Sequence, residues 1–272
     1  MINFNGKLIA EEVDVLSIDN RSFKYGDGVF ETIKVKDEKI IFSEDHYFRL
    51  MASLRLFRIN IPMDFTLEKF EDEIAKLIKA KKINKARVRV TCFRNDGGLY
   101  TPMSNEMNFV IEASELNLEN QQNFEVDLYK DFYNYSGHLS SIKSTNRALN
   151  VLASIYAKEN DLNSCLLLNE RKFVCESISG NIFLIFKNTI VTPPISEGCI
   201  KGIIRKKVIE IISKSADFEL EERAISPFEL KKADEAFITN SIVGIQPIAK
   251  YRKKTFIVEK SKQLLEMLLT EE

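Results

Sequence analysis

The chain has 272 residues, of which 39 are basic and 40 acidic, so its net charge is −1 and both signs are mixed along it. No cluster of basic residues stands out along the sequence, so a nucleic-acid partner is not predicted. No apolar run approaches the length of a membrane span, and the first residues lack the apolar block of a secretory leader, so we expect no membrane partner.

The hydrophobic pattern of the first part of the chain predicts strands interspersed with two helices. Alternating apolar and polar residues predict a strand over 2–9, a hairpin of 29–35 with 39–42, and paired strands over 86–93 and 108–116. Apolar residues at helical spacing predict a helix that begins near Ser43 and a second helix over 66–82.

The polar segment 117–123 breaks this pattern and predicts a domain boundary. We expect a small α/β domain over 1–118 and a large α/β domain over 119–272 that carries Lys143. The large domain is predicted to contain a strand at 124–131, a helix after Lys143, hairpins at 165–177 and 181–193, a helix after Gly202, a strand at 218–226, a short helix at 227–233, a strand at 235–241 and a helix at 259–270. Strands outnumber helices without regular alternation, so the predicted fold class is α/β as an α+β mixture.

The cysteines and histidines are few and scattered. None of the four cysteines has the spacing of a zinc or redox pair, and only two histidines are present, so no metal site is predicted. Each cysteine lies in or beside an apolar segment, which predicts buried thiols and a reducing, cytoplasmic location.

Lys143 stands between the apolar Ile142 and the start of a helical pattern. Ser144, Thr145 or Asn146 is expected to cap that helix. A lysine outside a buried helix start is shielded from water and lies near a positive helix end, and both effects favour an uncharged, nucleophilic amine. Taken alone, the same pattern also describes a surface lysine.

Three further segments offer groups that suit a phosphorylated heteroaromatic ligand. Glu176 ends a predicted strand, where a carboxylate can pair with a protonated ring nitrogen or form an ordinary surface contact. Gly198 and Gly202 precede a predicted helix, whose free N–H groups suit a phosphate, although glycines also mark simple turns. Residues 239–241, Thr-Asn-Ser, add donors at another strand end.

A reactive lysine, a carboxylate for a ring nitrogen and a phosphate cup are together the requirements of pyridoxal phosphate. Six motifs follow one another along the chain, namely YGDGVFE (25–31), HYFRL (46–50), Lys143 with Asn146, residues 176–183, GIIR (202–205) and DEAFITN (234–240). By these motifs and their order the chain resembles the class IV aminotransferases, the fold-type IV pyridoxal-phosphate enzymes with a D-amino acid aminotransferase-like, two-domain fold. That group includes D-amino acid and branched-chain aminotransferases and aminodeoxychorismate lyase.

The resemblance implies a role for each matched position. Lys143 would carry the cofactor and shuttle protons, Glu176 would pair with the ring nitrogen, and Arg49 would bind the phosphate. The other implied cofactor contacts are Ser179, Ile203, Ile204, Asn240 and Ser241, and the implied substrate contacts are Phe30, Arg94, Tyr100 and Arg147. The resemblance also implies a small amine or carboxylate substrate and a homodimer.

Details of the motifs favour aminodeoxychorismate lyase, which forms 4-aminobenzoate and pyruvate in the folate pathway. Residues 143–147, KSTNR, are similar to the lyase's Lys-x-x-Asn-Arg, and Ile204 and Asn240 match its apolar residue and its asparagine. The loop 94–100 resembles the lyase's glycine-rich loop but is shorter. Two alternatives stay open, namely a class IV aminotransferase acting on a branched-chain or D-amino acid, and a catalytically silent pyridoxal-phosphate-binding protein.

Overall fold

The computed structural model describes residues 1–117 and 123–272, and the predicted domain boundary between residues 118 and 119 lies outside them. The chain divides into two compact units. The first unit is Met1–Asn117 with Lys143–Asn146, and the second is the described part of Leu118–Ile142 with Arg147–Glu272. None of the described helices has the length and apolar character that crossing a membrane requires.

The first unit is built on one antiparallel sheet of six strands and three helices. The strands are Ile2–Phe4 (β1), Lys7–Ile9 (β2), Gly28–Lys36 (β3), Lys39–Ile40 (β4), Lys85–Arg94 (β5) and Met107–Glu115 (β6), and the helices are Arg21–Tyr25 (α1), Ser43–Leu56 (α2) and Leu67–Lys81 (α3). The strand order is β2-β1-β6-β5-β3-β4. The predicted hairpin of β3 with β4, both long helices and the pairing of β5 with β6 are confirmed.

The prediction of one continuous strand over 2–9 was wrong. The chain reverses at Asn5 and Gly6, both of which have positive φ, so that β1 and β2 form a tight antiparallel hairpin. An Asn-Gly pair is a strong signal for such a two-residue turn, because both positions tolerate left-handed backbone conformations. Apolar and polar residues alternate on both sides of Asn5 and Gly6, and this alternation led to the prediction of a single strand.

The second unit contains two five-stranded sheets. Its strands are Glu125–Tyr129 (β7), Ser164–Leu168 (β8), Val174–Ser177 (β9), Asn181–Phe186 (β10), Thr189–Thr192 (β11), Glu219–Glu222 (β12), Glu235–Asn240 (β13), Gly244–Pro247 (β14), Lys250–Tyr251 (β15) and Lys254–Thr255 (β16), and its helices are Ala148–Glu159 (α4), Ile203–Lys214 (α5) and Lys260–Glu271 (α6). The sheet orders are β12-β11-β10-β13-β14 and β16-β15-β7-β8-β9. A continuous apolar core that includes Leu128, Leu166, Ile182 and Ile238 joins the two sheets.

Most predicted elements of the second unit are confirmed, including both hairpins and the helix that follows Gly202. The short helix expected over 227–233 is a single 3₁₀ turn at Glu229–Lys231. All four cysteines are free and buried, as their apolar surroundings predicted.

The helix after Lys143 begins later than expected. Its first residue is Ala148, and its N-cap is Arg147, which makes no side-chain capping bond. None of the three predicted capping residues therefore caps it. Residues 143–146 instead pack with the first unit, whereas the sequence placed Lys143 in the second domain.

Candidate active site

The backbone around Lys143 is fixed against strand β3. The N–H of Phe30 donates to the carbonyl of Lys143 at 2.8 Å, and the N–H of Thr145 donates to the carbonyl of Gly28 at 2.9 Å. Val29 and Ser144 form an antiparallel bridge between these bonds. The lysine is thus positioned by strand-like pairing and not by a helix end, which corrects the local structure inferred from the sequence.

The side chain of Lys143 lies over an aromatic ring. Its Nζ is 4.4 Å from the centroid of the buried Phe30 ring, and the guanidinium carbon of Arg89 is 3.7 Å from the same centroid. Both distances lie within the range of cation–π attraction. An amine and a guanidinium therefore share one apolar surface on the sheet face that carries Phe30.

Sequence reasoning did not single out Arg89. It lies on β5 opposite Thr32 of β3, and its Nε donates to Oγ1 of Thr91 at 3.1 Å. A signal was present in the sequence, because β5 alternates between buried valines and polar or charged residues. That alternation places Arg89 on the face opposite the valines, which is the face of Phe30.

Arg49 lies on α2 and is held by a buried carboxylate of β3. Its Nε donates to Oε1 of Glu31 at 2.8 Å and its Nη2 donates to Oε2 at 2.5 Å. Burial raises the pKa of the Glu31 carboxyl, but the charge of Arg49 and the hydrogen bonds from His46 and Arg49 outweigh it and hold the pKa at about 2. Glu31 is therefore ionised, so Nδ1 of His46, at 2.7 Å, donates to it.

Arg94 and Tyr100, both predicted substrate contacts, occupy contrasting environments. Arg94 is buried, and its guanidinium donates to Asp27, to the carbonyls of Phe57 and Arg58, and to Asn105. These five bonds use all five of its N–H donors, so a substrate contact would require some of them to break. Tyr100, in contrast, is 89% exposed.

Glu176 lies at the end of β9 in the second unit and is buried. Its Oε2 accepts a hydrogen bond from the N–H of Ile200 at 2.9 Å. The same loop is held from the other side, because Nδ2 of Asn181 donates to the carbonyl of Ile200 at 2.8 Å. The carboxylate is thus fixed to the segment that leads into α5.

The N-terminus of α5 approaches Asn181 closely. Its N-cap is Gly202, which has no side chain to bond the free N–H groups of the first turn, including those of Ile203 and Ile204. A Cβ at Gly202 would lie 2.0 Å from Oδ1 of Asn181, so only glycine fits there without displacement. The helix start therefore offers backbone donors without a side-chain cap and a positive dipole end, which suit an anion.

A threonine hydroxyl lies on the strand next to this helix start. Thr239 of β13 is paired with Asn181 of β10, so their side chains leave the sheet on the same face. Its Oγ1 is buried and has no hydrogen-bond partner among residues 1–117 and 123–272, which is costly unless a ligand supplies one. Oδ1 of the predicted contact Asn240 is instead used within the chain, since it accepts from the N–H groups of Ile242 and Val243.

The remaining predicted contacts lie in loops of the second unit. Ser179 is exposed in the turn between β9 and β10, and Ser241 is half-buried just after β13. Arg147 is half-buried and donates from Nη2 to the carbonyl of Ile142 at 2.6 Å.

The donor set fits pyridoxal phosphate. An unpartnered hydroxyl beside a helix N-terminus whose N-cap has no room for a Cβ suits a phosphate. A buried carboxylate suits a protonated ring nitrogen, and a lysine amine suits an aldehyde carbon. Lys143 belongs to the first unit, and the carboxylate, the hydroxyl and the helix start belong to the second.

Comparison with known proteins gives a consistent result. The family described as amino-transferase class IV matches residues 28–251. The chain is 27% identical over 263 residues to a D-alanine aminotransferase of Bacillus licheniformis, covering 90% of this chain and 86% of that protein. It is 25% identical over 238 residues to an aminodeoxychorismate lyase of Vibrio harveyi, covering 85% and 86% of the two chains.

Among solved structures, a branched-chain aminotransferase of Thermoproteus uzoniensis, crystallised with norvaline, shares the fold. Its TM-score is 0.89 at 22% identity, with 98% of this chain and 92% of that chain covered. Because the class IV family match spans most of the sequence, the protein belongs to the class IV aminotransferase family and is a pyridoxal-phosphate-dependent enzyme.

Proposed function

We propose that the enzyme is a lyase that converts aminodeoxychorismate to 4-aminobenzoate and pyruvate, a step of folate biosynthesis. The observation that carries the proposal is the group formed by Lys143, Phe30 and Arg89. An amine and a guanidinium beside one buried aromatic ring suit a carboxylated substrate, because the guanidinium can pair with a carboxylate while Phe30 keeps water away from both groups.

The two products together contain all atoms of the substrate, so the reaction needs neither an oxidant nor an amino acceptor. The bond between the ring carbon and the ether oxygen breaks, the oxygen leaves with the three-carbon unit as enolpyruvate, and a ring proton moves to the methylene carbon of that unit as the ring becomes aromatic. Lys143 would move this proton at Nζ. The bound cofactor would supply an electron sink, and Glu176 would maintain it by holding the ring nitrogen protonated.

The phosphate would be held by the backbone N–H groups of Ile203 and Ile204. Thr239 and Asn240 of β13, and Ser179 and Ser241 in turns, would add side-chain contacts. Arg49 keeps the phosphate role that the resemblance implies, as a positive charge. Thr239 is supported by its unpartnered hydroxyl, which the phosphate would satisfy.

Substrate recognition is assigned to Phe30, Arg89, Tyr100 and Arg147. Phe30 would supply the apolar surface, and Arg89 would contact a substrate carboxylate. Tyr100 and Arg147 are proposed as substrate contacts on the basis of the resemblance. Arg94 is given a positioning role, because its donors are already used by Asp27 and by backbone carbonyls.

We also propose a cytoplasmic homodimer. The loop after β5 exposes three apolar or aromatic side chains within five residues, Leu99 (80%), Tyr100 (89%) and Met103 (82%), and an interface with a second copy would cover them. The side chain of Arg21 holds this loop in place by donating to the carbonyls of Gly97, Leu99 and Tyr100. Sedimentation velocity should show a dimer, and a monomer at micromolar concentration would reject this assignment.

A second candidate is a transaminase acting on a D-amino acid or a branched-chain amino acid. It is favoured by the 27% identity to a D-alanine aminotransferase, slightly above the 25% identity to a lyase. Both reactions use the same cofactor, and the contacts around the substrate decide which bond breaks.

The deciding experiment compares products. The enzyme is incubated with enzymatically prepared aminodeoxychorismate, and in parallel with D-alanine, L-glutamate or L-leucine and a 2-oxo acid. We expect 4-aminobenzoate and pyruvate in equal amounts without any amino donor. Transamination of the amino acids without formation of 4-aminobenzoate would reject the lyase and support the transaminase.

A matched pair of variants tests the substrate contact. Arg89→Ala should raise KM for aminodeoxychorismate about tenfold or more, the effect of losing a charged hydrogen bond. Arg87→Ala is the control, because Arg87 lies two residues away on the same strand and is exposed. Equal effects of the two substitutions would remove Arg89 from the proposed site.

A further inference from the structure

Glu31 is a carboxylate in an otherwise apolar layer. Residues of β3 that point to the same side of the sheet, Val29, Ile33 and Val35, are each at most 1% exposed, and the residue opposite Glu31 on β5 is the buried Val90. Helix α2 covers this side, since His46 and Arg49 reach Glu31 from it. Glu31 is itself only 1% exposed.

The three polar groups form a compact unit within this layer. His46 and Arg49 are three residues apart on α2 and so project from one side of the helix. Both donate to Glu31, and the guanidinium does so through two nitrogens. Burial lowers the pKa of the His46 imidazole although Glu31 opposes this effect, so the imidazole is neutral near pH 7.

Stability alone does not account for this arrangement. Removing two charges from water costs several kcal/mol per ion, and a buried ion pair is often no better than apolar residues of similar volume. What the pair does provide is a fixed guanidinium. An arginine held through two nitrogens has lost its side-chain freedom before a ligand arrives, which lowers the entropic cost of binding.

We propose that Glu31, supported by His46, is a positioning residue that holds Arg49 in the orientation required to bind the phosphate of the cofactor. The inference rests on the proposed role of Arg49 and extends it to two residues that do not themselves contact the cofactor. His46 contributes by donating from Nδ1 to Oε2 of Glu31, which fixes the orientation of the carboxylate toward the guanidinium of Arg49.

The test measures cofactor binding and does not depend on turnover. Apo-protein is titrated with pyridoxal phosphate and, separately, with pyridoxal, which lacks the phosphate. Glu31→Gln should weaken binding of pyridoxal phosphate about tenfold or more and leave binding of pyridoxal unchanged, since only the phosphate contact is affected. A general loss of structure would weaken both ligands alike and would overturn the proposal.

Glu73→Gln is the matched control. Glu73 is also a buried carboxylate of the first unit, but it accepts a hydrogen bond from Asn3 and belongs to α3. We expect this variant to lower stability without changing the ratio of the two affinities. A change of that ratio equal to the change in Glu31→Gln would contradict the specific role of Glu31.

Arg49→Ala, alone and combined with Glu31→Gln, separates this inference from the proposed function. If Glu31 acts through Arg49, adding Glu31→Gln to Arg49→Ala should have no further effect on the affinity ratio. Weak binding in Arg49→Ala with normal binding in Glu31→Gln would overturn the inference and leave the phosphate role of Arg49 standing. Unchanged affinity in Arg49→Ala would reject that role itself and the inference with it.

Glu31→Asp covers the case in which Glu31→Gln does not fold. Aspartate keeps the buried negative charge but is one methylene shorter, so it cannot reach both nitrogens of Arg49 in the same way. The same selective loss of affinity for pyridoxal phosphate is expected. Binding like that of the unmodified protein would overturn the proposal.

Discussion

Gly202→Ala tests whether the start of α5 is built for an anion. The new Cβ would lie 2.0 Å from Oδ1 of Asn181, so the asparagine must move. Moving it breaks the 2.8 Å bond from Nδ2 to the carbonyl of Ile200, which leaves a buried polar group unsatisfied at a cost of about 1–3 kcal/mol. The backbone of Gly202, with φ −67° and ψ 139°, is ordinary for alanine, and the stiffer unfolded chain returns about 0.4–1 kcal/mol.

The net expectation is a loss of about 1–2 kcal/mol in the free energy of unfolding of the apo-protein. Binding of pyridoxal phosphate should weaken about tenfold or more, because Ile200 leads directly into the donors of α5. Urea denaturation and cofactor titration measure the two effects.

Two further variants give this experiment its controls. Gly137→Ala should leave the affinity unchanged and raise the free energy of unfolding by about 0.4–1 kcal/mol, because a Cβ at Gly137 meets no described atom within 4 Å and alanine stiffens the unfolded chain. Adding Asn181→Ala to Gly202→Ala should remove the steric conflict, so the combined loss of stability should be smaller than the sum of the two separate losses. Stability and affinity in Gly202→Ala equal to those in Gly137→Ala would refute the close approach and the anion site built on it.

Three other predictions follow from named contacts. Glu176→Gln keeps the side-chain volume and an acceptor for the N–H of Ile200, so cofactor occupancy should stay nearly constant. The value of kcat should fall about 100-fold, which corresponds to a rise of about 2.7 kcal/mol in the activation free energy. Normal single-turnover rates on the cofactor-saturated variant would reject the role of Glu176 in holding the ring nitrogen protonated. Thr239→Val removes the unpartnered hydroxyl, so apo-protein stability should hold or rise while the affinity for pyridoxal phosphate falls; lower apo stability would indicate a structural hydroxyl instead. The free energy of unfolding should fall as the pH drops below 6.5, because the pKa of His46 is lower in the folded than in the unfolded protein. It should fall again between pH 4.5 and about 2, because the pKa of Glu31 is also lower in the folded protein. In His46→Asn, a flat profile above pH 5 would confirm the first part, and an unchanged slope would contradict it.

Periodicity identified the long elements of this fold because each one buries a single face. Helix α3 and strands β3 and β5 are of this kind. The two-residue strands β15 and β16 escaped prediction, since two residues are too few to show alternation. The hairpin at Asn5 and the late start of α4 were missed because local turn and capping geometry decided them, not the apolar pattern.

The candidate site also contains residues that the sequence indicates and contacts that only the structure reveals. The roles proposed for Lys143, Glu176 and the start of α5 were inferred from the sequence, because the type of residue at a motif position indicates the chemistry it can support. The contact of Arg89 with Phe30 depends on the pairing of β3 with β5, and the bond between Glu31 and Arg49 depends on how α2 lies on the sheet. Such pairs are separated along the chain and become visible only after the register of the sheet is known.

Covalent mapping of the cofactor tests the central claim most directly. The holoenzyme is reduced with borohydride, digested and analysed by peptide mass spectrometry. We predict a pyridoxyl group on Lys143, and we predict that Lys143→Ala binds the cofactor without the covalent label and loses turnover by several orders of magnitude. A pyridoxyl group on any other lysine of the unmodified protein would contradict the account.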